Sequence, residues 1–408
     1  MTDVQAPPAA PTLTTLRREP AVEVPTRAGW AVRPLVTYGL SRLLLLAVAV
    51  VMAQWAQARG TDPGAGPWPS LPGDLPGVAD VLGRWDGAWY TDLARHGYPG
   101  AGDLPSDQRH LAFFPLFPGL VRIVASLTPL TTVGAGIVVS VLAGALAVVL
   151  VWRVVADLAG DEAADRAAAV LSFFPGSVVL SMAYAEGLLV AGAAGTMLAL
   201  QRRRWVLAGA IAAITTLSRP NALAVGAMCA VAAAAAIAER RDWRSLAAPL
   251  LAPVGVLGFF GYLAVLTGWP LAWFRGQRDG WQDSPALLGA PFEHLEEIWE
   301  RDIFGLRSTQ LNPLVGVLGL AFVAFAGYLL VRWRPPVIVF TYTAVSIGMA
   351  LASQMVGARP RMILAAFPLV VVLGVRYTGR AHTAIVAVSA VASCLTAGLL
   401  FGSLAMTP

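Results

Sequence analysis

The sequence predicts an all-α protein that crosses a membrane several times. Of its 408 residues, 57% are hydrophobic and 13% are charged, and the mean hydropathy is +0.66. A soluble domain carries about 25% charged residues. The apolar residues form repeated runs of roughly 16–24 residues, which is long enough for a helix to cross the hydrocarbon core of a bilayer.

The elements follow from the apolar runs in chain order. Residues 1–33 are rich in proline, threonine and arginine and lack periodicity, so we predict a disordered tail ahead of one transmembrane domain, 34–408. Long loops are expected at about 57–131 and 269–311. Eleven spans are predicted, at 34–56, 132–155, 166–182, 184–201, 205–218, 221–238, 246–268, 312–332, 336–353, 361–376 and 382–404.

The distribution of arginine predicts the orientation. No lysine occurs, so all 29 basic residues are arginine. Placing the tail in the cytoplasm puts five short clusters there as well, as the positive-inside rule expects. The clusters are Arg153, 202–204, 240–244, 332–334 and 376–380. Both long loops then lie outside, and the net charge of +5 reflects membrane topology, not nucleic-acid binding.

Two segments of the first loop are predicted to be interfacial amphipathic helices. In 85–96, residues Asp86, Trp89, Tyr90 and Leu93 fall on one helical face. The segment 112–128 has prolines near its start, which suit a helix beginning. We expect both helices on the outer leaflet.

The stretch RWDGAWYTDLARHGYP, residues 84–99, holds the first candidate for chemistry. Charged residues are costly near a bilayer and are kept there mainly for function. Asp86 lies between large aromatics, where partial desolvation suits a general base. An acid that only stabilises a helix N-terminus is the structural alternative. We expect Asp86 to be catalytic and Arg84, Trp85, Trp89 and Tyr90 to bind substrate.

Three later segments carry further costly charges. They are LSFFPGSVVLSMAYAEG with Glu186, TTLSRPNALAV with Arg219, and GARPRMILAAFPL with Arg359 and Arg361. Pro175 and Gly176 predict a broken helix, which is tolerated where the backbone lines a cavity. Arginine binds phosphate in a bidentate way. Anchoring to lipid headgroups is the alternative for these side chains. Arg42, inside the first span, is expected to pair with a buried acid or to reach the interface.

The arrangement favours a lipid-linked sugar as substrate. The sequence has no P-loop, dinucleotide or HExxH zinc motif, and His96 and His110 with Asp103 and Asp107 fit no metal motif. An outer-face site cannot use cytoplasmic nucleotide sugars. A polyprenyl-phosphate sugar would instead need arginines for its phosphate, an apolar groove for its tail and a carboxylate to activate an acceptor hydroxyl.

These segments resemble, in order, the motifs of the PIG-V family, the second mannosyltransferase of GPI-anchor assembly. The matching segments are RWDGAWYTDLARHGYP, HLAFFPLFPGL, LSFFPGSVVLSMAYAEG, LSRPNAL and RPRMILAAFPL, and they cover roughly residues 35–375. Two positions depart from the family pattern. Trp89 stands where the family has histidine, and Ala222 where it has glycine.

The resemblance implies a GT-C glycosyltransferase fold and an inverting, metal-independent transfer of mannose from polyprenyl-phosphate-mannose. It implies that Asp86 is the catalytic carboxylate and that further pocket residues lie at His110, Phe114, Tyr184, Glu186, Arg219, Asn221 and Arg361. The acceptor would be a glycolipid, a lipoglycan or a protein. The lysine-free, alanine- and arginine-rich composition is typical of a bacterium of high GC content, so we expect a plasma-membrane location.

Two other functions compete with this one. A flippase or transporter of lipid-linked sugar would also use membrane arginines and broken helices, although its site would lie near the bilayer midplane. A non-catalytic subunit that binds the donor for a partner enzyme would fit the tryptophan at position 89. Transfer of mannose in detergent separates the enzyme from both alternatives.

Overall fold

The computed structural model describes residues 29–60, 76–101, 108–282, 311–353, 357–403 and Met406, and no β-strand occurs among them. The seventeen described α-helices are α1 Val32–Arg59, α2 Val78–Leu82, α3 Asp86–His96, α4 Leu116–Leu127, α5 Thr132–Ala159, α6 Asp161–Phe173, α7 Glu186–Gln201, α8 Trp205–Thr215, α9 Leu223–Arg240, α10 Ala247–Leu251, α11 Val254–Thr267, α12 Ala272–Arg275, α13 Asn312–Trp333, α14 Val337–Leu351, α15 Pro360–Ala365, α16 Pro368–Arg376 and α17 Gly379–Gly402.

Every predicted span coincides with helix in the structure, so the expectation of an all-α polytopic membrane protein is confirmed. Among the described residues, six helical segments are long and apolar enough to cross a membrane. They are Val32–Arg59, Thr132–Ala159, Pro220–Arg240, Trp243–Thr267, Asn312–Trp333 and Gly379–Gly402. The remaining predicted spans correspond to shorter helices. Span 361–376 is divided into α15 and α16, and span 166–182 ends early.

Helix α5 organises the packing. It contacts α1, α4, α6 and α7, and its buried face is rich in alanine, glycine and valine. Small residues let helix backbones approach closely within a membrane, where dispersion contacts stabilise association. Helix α17 packs along α1, and α14 along α9. The candidate site lies where this bundle meets α3.

The predicted break at Pro175 and Gly176 is present. Helix α6 ends at Phe173, and Pro175–Leu180 forms a 3₁₀ helix. Arg42 of α1 binds this segment through its guanidinium, which donates to the carbonyl oxygens of Ser172 at 3.0 Å and Ser177 at 2.6 Å and to Ser181 Oγ at 3.0 Å. The prediction that Arg42 pairs with a buried acid or reaches the membrane interface was therefore wrong. The arginine satisfies carbonyl groups that the end of α6 leaves without helical partners.

The first predicted loop contains α2, α3 and α4. Helix α3 is buried on most sides, and Trp89, Tyr90 and Leu93 pack in one cluster with Phe113 and Phe117. Helix α4 keeps an exposed apolar side at Ile123 and Leu127. The predicted tail lies largely outside the described residues, as do Asp103, Asp107 and most of the loop 269–311.

Candidate active site

The backbone ahead of α3 fixes Asp86 at the start of a helix. Trp85 has φ 61° and ψ −128°, a region that only glycine adopts without strain. Its indole Nε1 donates to the Leu400 carbonyl oxygen at 3.0 Å, and Arg84 donates to the Phe401 carbonyl oxygen. Both residues thereby tie α3 to the end of α17. The Asp86 carboxylate lies in the first turn of α3, where the helix dipole favours a negative charge.

Four charged side chains from four parts of the chain form one connected chain of ion pairs. Arg361 Nη1 donates to Asp86 Oδ2 at 2.5 Å and lies 4.0 Å from Glu186 Oε1. Arg219 binds the same Glu186 oxygen. Glu186 is only 1% exposed, whereas the Asp86 side chain is 19% exposed. The acids and arginines balance in charge, which is what allows them to be buried together.

Tyr184 completes the support of Asp86. Its hydroxyl accepts a hydrogen bond from the Asp86 backbone N–H at 3.1 Å, and its ring lies under the Arg361 guanidinium, 5.9 Å from ring centre to Cζ. Tyr184 is fully buried. It orients the ion pair and does not face open space.

The break after α6 positions Arg361. Gly176 packs so closely against Pro360 that a Cβ atom there would overlap the Pro360 carbonyl oxygen. Pro360 begins α15, and Arg361 is the next residue. The absence of a side chain at position 176 therefore lets α15 approach the 3₁₀ segment and present its arginine to Asp86.

A cavity of about 1190 Å³ opens beside this group. Its described lining includes six arginines, Arg109, Arg219, Arg275, Arg278, Arg359 and Arg361, and a single acid, Asp86. The volume exceeds the range of about 300–1,000 Å³ that is typical of small-molecule sites. The cavity therefore suits a large ligand that carries an anionic group.

Aromatic side chains line the rest of the cavity. Trp89 packs against Phe113 and Trp281, and Arg109 lies over the rings of Trp89 and Trp281 at 5.8 and 5.6 Å. Arg275 lies over Trp269 at 4.3 Å. Trp273 stacks on Phe260 and lies edge-on to Phe114. These rings give the cavity an apolar wall with cations stacked on it.

Burial shifts the pKa values of Arg359 and Tyr90, two side chains of the cavity wall. Burial, followed by repulsion from Arg361, lowers the pKa of Arg359 to about 10, so this guanidinium stays charged at neutral pH. Burial raises the pKa of the Tyr90 hydroxyl, so the phenol stays neutral. The cavity thus keeps its positive charge over the physiological range.

The structure brings most of the predicted site residues together. Asp86, Trp85, Trp89, Tyr90, Phe114, Arg219, Asn221, Arg359 and Arg361 line the cavity. Tyr184 and Glu186 lie behind it and contact Asp86, Arg219 and Arg361. Arg84 faces α17 instead of the cavity, because its guanidinium donates a hydrogen bond to the Phe401 carbonyl oxygen.

His110 also lies outside the lining, next to Trp89. Its Nε2 is 2.7 Å from Asp92 Oδ2, and His96 Nδ1 is 2.9 Å from Asp92 Oδ1. The His110 ring lies edge-on to Trp89 at 4.8 Å. Asp92 therefore lies between two histidine rings, and His110 packs against the aromatic wall. Within the described ranges, no group of three or more His, Cys, Asp or Glu side chains is placed to hold a metal ion.

Sequence reasoning did not identify the second side of the cavity. The segment GWPLAWFRGQRDGW, residues 268–281, supplies Trp269, Trp273, Arg275, Arg278 and Trp281. It combines tryptophan with arginine in the same way as the stretch 84–99. This shared composition was the signal in the sequence that could have identified residues 268–281 as part of the site.

Comparison with known proteins identifies the fold. No protein-family model matches the chain, and neither does any curated protein. The structure of ArnT from Cupriavidus metallidurans bound to undecaprenyl phosphate is similar, with a TM-score of 0.50 and 15% identity over 84% of this chain and 61% of that chain. Archaeoglobus fulgidus AglB, an oligosaccharyltransferase in complex with an inhibitory peptide and a dolichol-phosphate, has a TM-score of 0.46 and 12% identity over 90% and 55%.

The similarity to ArnT shows the GT-C fold, as predicted. The chain spans 61% of the length of that ArnT structure, so it corresponds to part of the larger protein. The resemblance to the PIG-V family stays a prediction.

Proposed function

We propose that this protein is a glycosyltransferase that moves mannose from polyprenyl-phosphate-mannose to a hydroxyl of a glycolipid, lipoglycan or protein acceptor. The observation that carries the proposal is one carboxylate, Asp86, facing a large cavity whose described wall otherwise bears six arginines. A carboxylate suits the acceptor proton, and guanidinium groups suit a phosphate. The undecaprenyl phosphate in the ArnT structure of similar fold supports a lipid phosphate as ligand.

The transfer is a single displacement. The acceptor oxygen attacks the anomeric carbon and forms the new glycosidic bond, while Asp86 takes the hydroxyl proton. The bond from the anomeric carbon to the phosphate oxygen breaks, and polyprenyl phosphate leaves with the electron pair. Attack from the side opposite the leaving group inverts the anomeric configuration, in agreement with the resemblance.

Arg361 links the base to the leaving group. A guanidinium carries five N–H donors in a planar fork, so it can bind a carboxylate and a phosphate together. Its Nη1 binds Asp86, and its Nε has no hydrogen-bond partner among the described residues. Arg219 and Arg359 line the same cavity and add further donors. Charge that develops on the leaving phosphate would meet preformed arginines, which is the arrangement that lowers a transition state.

The test is transfer of radiolabelled mannose from polyprenyl-phosphate-mannose by the purified full chain in detergent, with membrane glycolipid extract as acceptor. Asp86→Asn removes the base and keeps the side-chain size, so kcat should fall by about 10²–10⁴-fold, the range that general-base catalysis contributes. The KM for donor should change far less, since the arginines remain.

The matched control is Glu162→Gln. Glu162 is also an acid in the first turn of a helix, α6, but its side chain is 96% exposed and remote from the cavity. It should keep wild-type activity. Wild-type turnover by a folded Asp86→Asn protein would exclude Asp86 as the base. Donor binding without transfer to any acceptor would instead favour the donor-binding subunit, and transport across vesicles without transfer would favour a flippase.

A further inference from the structure

A second groove lies between α5, α7 and α8, away from the candidate active site. Its volume is about 600 Å³, and its lining is almost entirely aliphatic until one end, where Arg202 and Arg204 stand. Leu146, Leu207 and Ile214 of the lining are exposed. In a chain whose long apolar helices cross a bilayer, an exposed aliphatic groove faces lipid.

The groove has the dimensions of a lipid chain. It follows α7 from Leu188 to Arg202, a length of about 21 Å at 1.5 Å per residue. The hydrocarbon core of a bilayer is about 30 Å thick, so the groove covers more than one leaflet. Gly195 leaves part of its floor free of a side chain on α7, whereas Gly192 lets α8 pack closely at Thr215.

The arginine end carries a surplus of positive charge. Asp157 accepts from both Arg153 and Arg202 at 2.9 Å, so one carboxylate serves two guanidinium groups. The Arg204 side chain is exposed, and no residue within the described ranges pairs with it. Asp242 accepts from Trp205 Nε1 at 3.0 Å. An anionic headgroup would therefore meet more guanidinium groups at this end than the carboxylate of Asp157 neutralises.

We infer that this groove binds a phospholipid with an anionic headgroup, its phosphate at Arg202 and Arg204 and one acyl chain along α7. The ligand is distinct from the proposed sugar donor, since Glu186 begins α7 at the candidate active site and Arg202 follows its far end. One lipid phosphate cannot reach both groups of arginines across a helix of about 24 Å. The inference does not depend on the proposed transferase activity.

The experiment is native mass spectrometry of the purified full chain in detergent, titrated with dioleoyl phosphatidylglycerol or dioleoyl phosphatidylcholine. The wild type should retain one phosphatidylglycerol in preference to phosphatidylcholine. Each arginine near an anionic headgroup contributes roughly fivefold in affinity, so R202Q/R204Q should bind phosphatidylglycerol about 25-fold more weakly. The control R334Q/R380Q removes two exposed arginines elsewhere and should leave the affinity unchanged.

A second pair of variants tests the acyl-chain position. A Cβ at Gly195 would lie 3.6 Å from Ile211 and 3.8 Å from Leu150, both of which line the groove, so G195L should fill it and abolish retention. G258L places the same bulk where no atom lies within 4 Å and should have no effect. L207W, at an exposed groove position, gives the same test if G195L does not fold.

Equal retention of the two lipids by the wild type would overturn the inference, as would unchanged retention by R202Q/R204Q or an equal loss in R334Q/R380Q. Displacement of phosphatidylglycerol by equimolar undecaprenyl phosphate would also overturn it, because the groove would then belong to a polyprenyl ligand. None of these results depends on mannose transfer, so the proposed function stands or falls separately.

Discussion

Glu186 is the most buried of the four paired charges of the candidate active site. Because it lies behind the cavity, we predict that it positions the arginines and does not touch substrate. One oxygen binds Arg219 and lies 4.0 Å from Arg361, whereas Oε2 has no partner among the described residues. It does not line the cavity. Its charge holds together two arginines that would otherwise repel each other, so it sets where their guanidinium groups lie at the cavity wall.

Glu186→Gln should destabilise the protein by about 3–5 kcal/mol, because it leaves Arg219 buried without its carboxylate. Thermal unfolding in detergent measures the loss as a lower Tm. The double variant Glu186→Gln with Arg219→Gln should be more stable than Glu186→Gln alone, since it removes the unpaired charge as well. A double variant that is less stable than either single variant would show that the two side chains do not act as a pair.

Arg42→Leu should destabilise the protein by about 1–3 kcal/mol or more, because the carbonyl oxygens of Ser172 and Ser177 lose a charged donor in a buried position. Arg33→Leu, on the same helix, is the control, since its exposed guanidinium pairs with Asp165 at the surface. Equal Tm values for the two variants would contradict the role of Arg42 at the helix break.

The sequence alone identified the individual charges of the site but not their pairing. Asp86, Glu186, Arg219 and Arg361 stand out because charge is costly in an apolar chain. That Arg361 binds Asp86 across 275 positions depends on how α15 packs against the end of α6, and periodicity carries no such information. Arg84 points away from the cavity because it binds the end of α17. The sequence could not predict this contact either, because it depends on where α17 packs.

At the scale of elements, the break after α6 connects the helical bundle to the candidate active site, because it lets α15 pack beside Asp86. A continuous helix over 166–182 would have carried its own hydrogen bonds and left no close approach for Pro360. The 3₁₀ segment is instead held from one side by Arg42 and contacted from the other by α15. The break therefore determines the distance between Asp86 and Arg361.

Gly176→Ala should disturb the site without changing any charge. Its Cβ would overlap the Pro360 carbonyl oxygen, so α15 must shift, at a cost of about 1–3 kcal/mol in stability. We expect a lower Tm together with a fall in kcat. Gly39→Ala is the control, because nothing lies within 4 Å of that position on α1. It should be neutral or slightly stabilising. An unaltered kcat in a folded Gly176→Ala protein would contradict the proposal that the packing of α15 against Gly176 sets the geometry of the site.

The sequence anticipated where helices occur better than how they are interrupted. Long apolar runs such as 132–155 form single helices in the structure, because the length of an apolar helix matches the thickness of the bilayer that it crosses. The division between α15 and α16 was not predicted, because Pro368 reads equally well as a kink or as a new helix start. The aromatic face of α3 was expected to meet lipid headgroups. It meets Phe113 and Phe117 instead, contacts that the helical period cannot distinguish from lipid.

For the whole molecule, arginine bias makes a prediction about the two ends of α5. Its 28 residues extend for about 42 Å, enough to cross the entire hydrocarbon core. The α3 end holds the candidate active site, and Arg153 and Arg202 lie toward the opposite end. The positive-inside rule places the arginine end in the cytoplasm.

Single-cysteine labelling tests this orientation in a Cys229→Ser, Cys394→Ser background. Thr128→Cys, exposed just before α5, should react with a membrane-impermeant maleimide in intact cells. Glu162→Cys, exposed just after α5, should react only once the membrane is permeabilised. The opposite labelling pattern would reverse the topology and place the cavity on the cytoplasmic side.

The arginines of the cavity wall have a practical consequence for work at the bench. Guanidinium groups bind sulfate and inorganic phosphate through the same N–H forks that would hold a lipid phosphate. Phosphate buffer should therefore act as a competitive inhibitor in turnover assays, whereas chloride at the same ionic strength only screens. Crystals grown from ammonium sulfate would capture the pocket already filled, and a soaked donor would have to displace the precipitant.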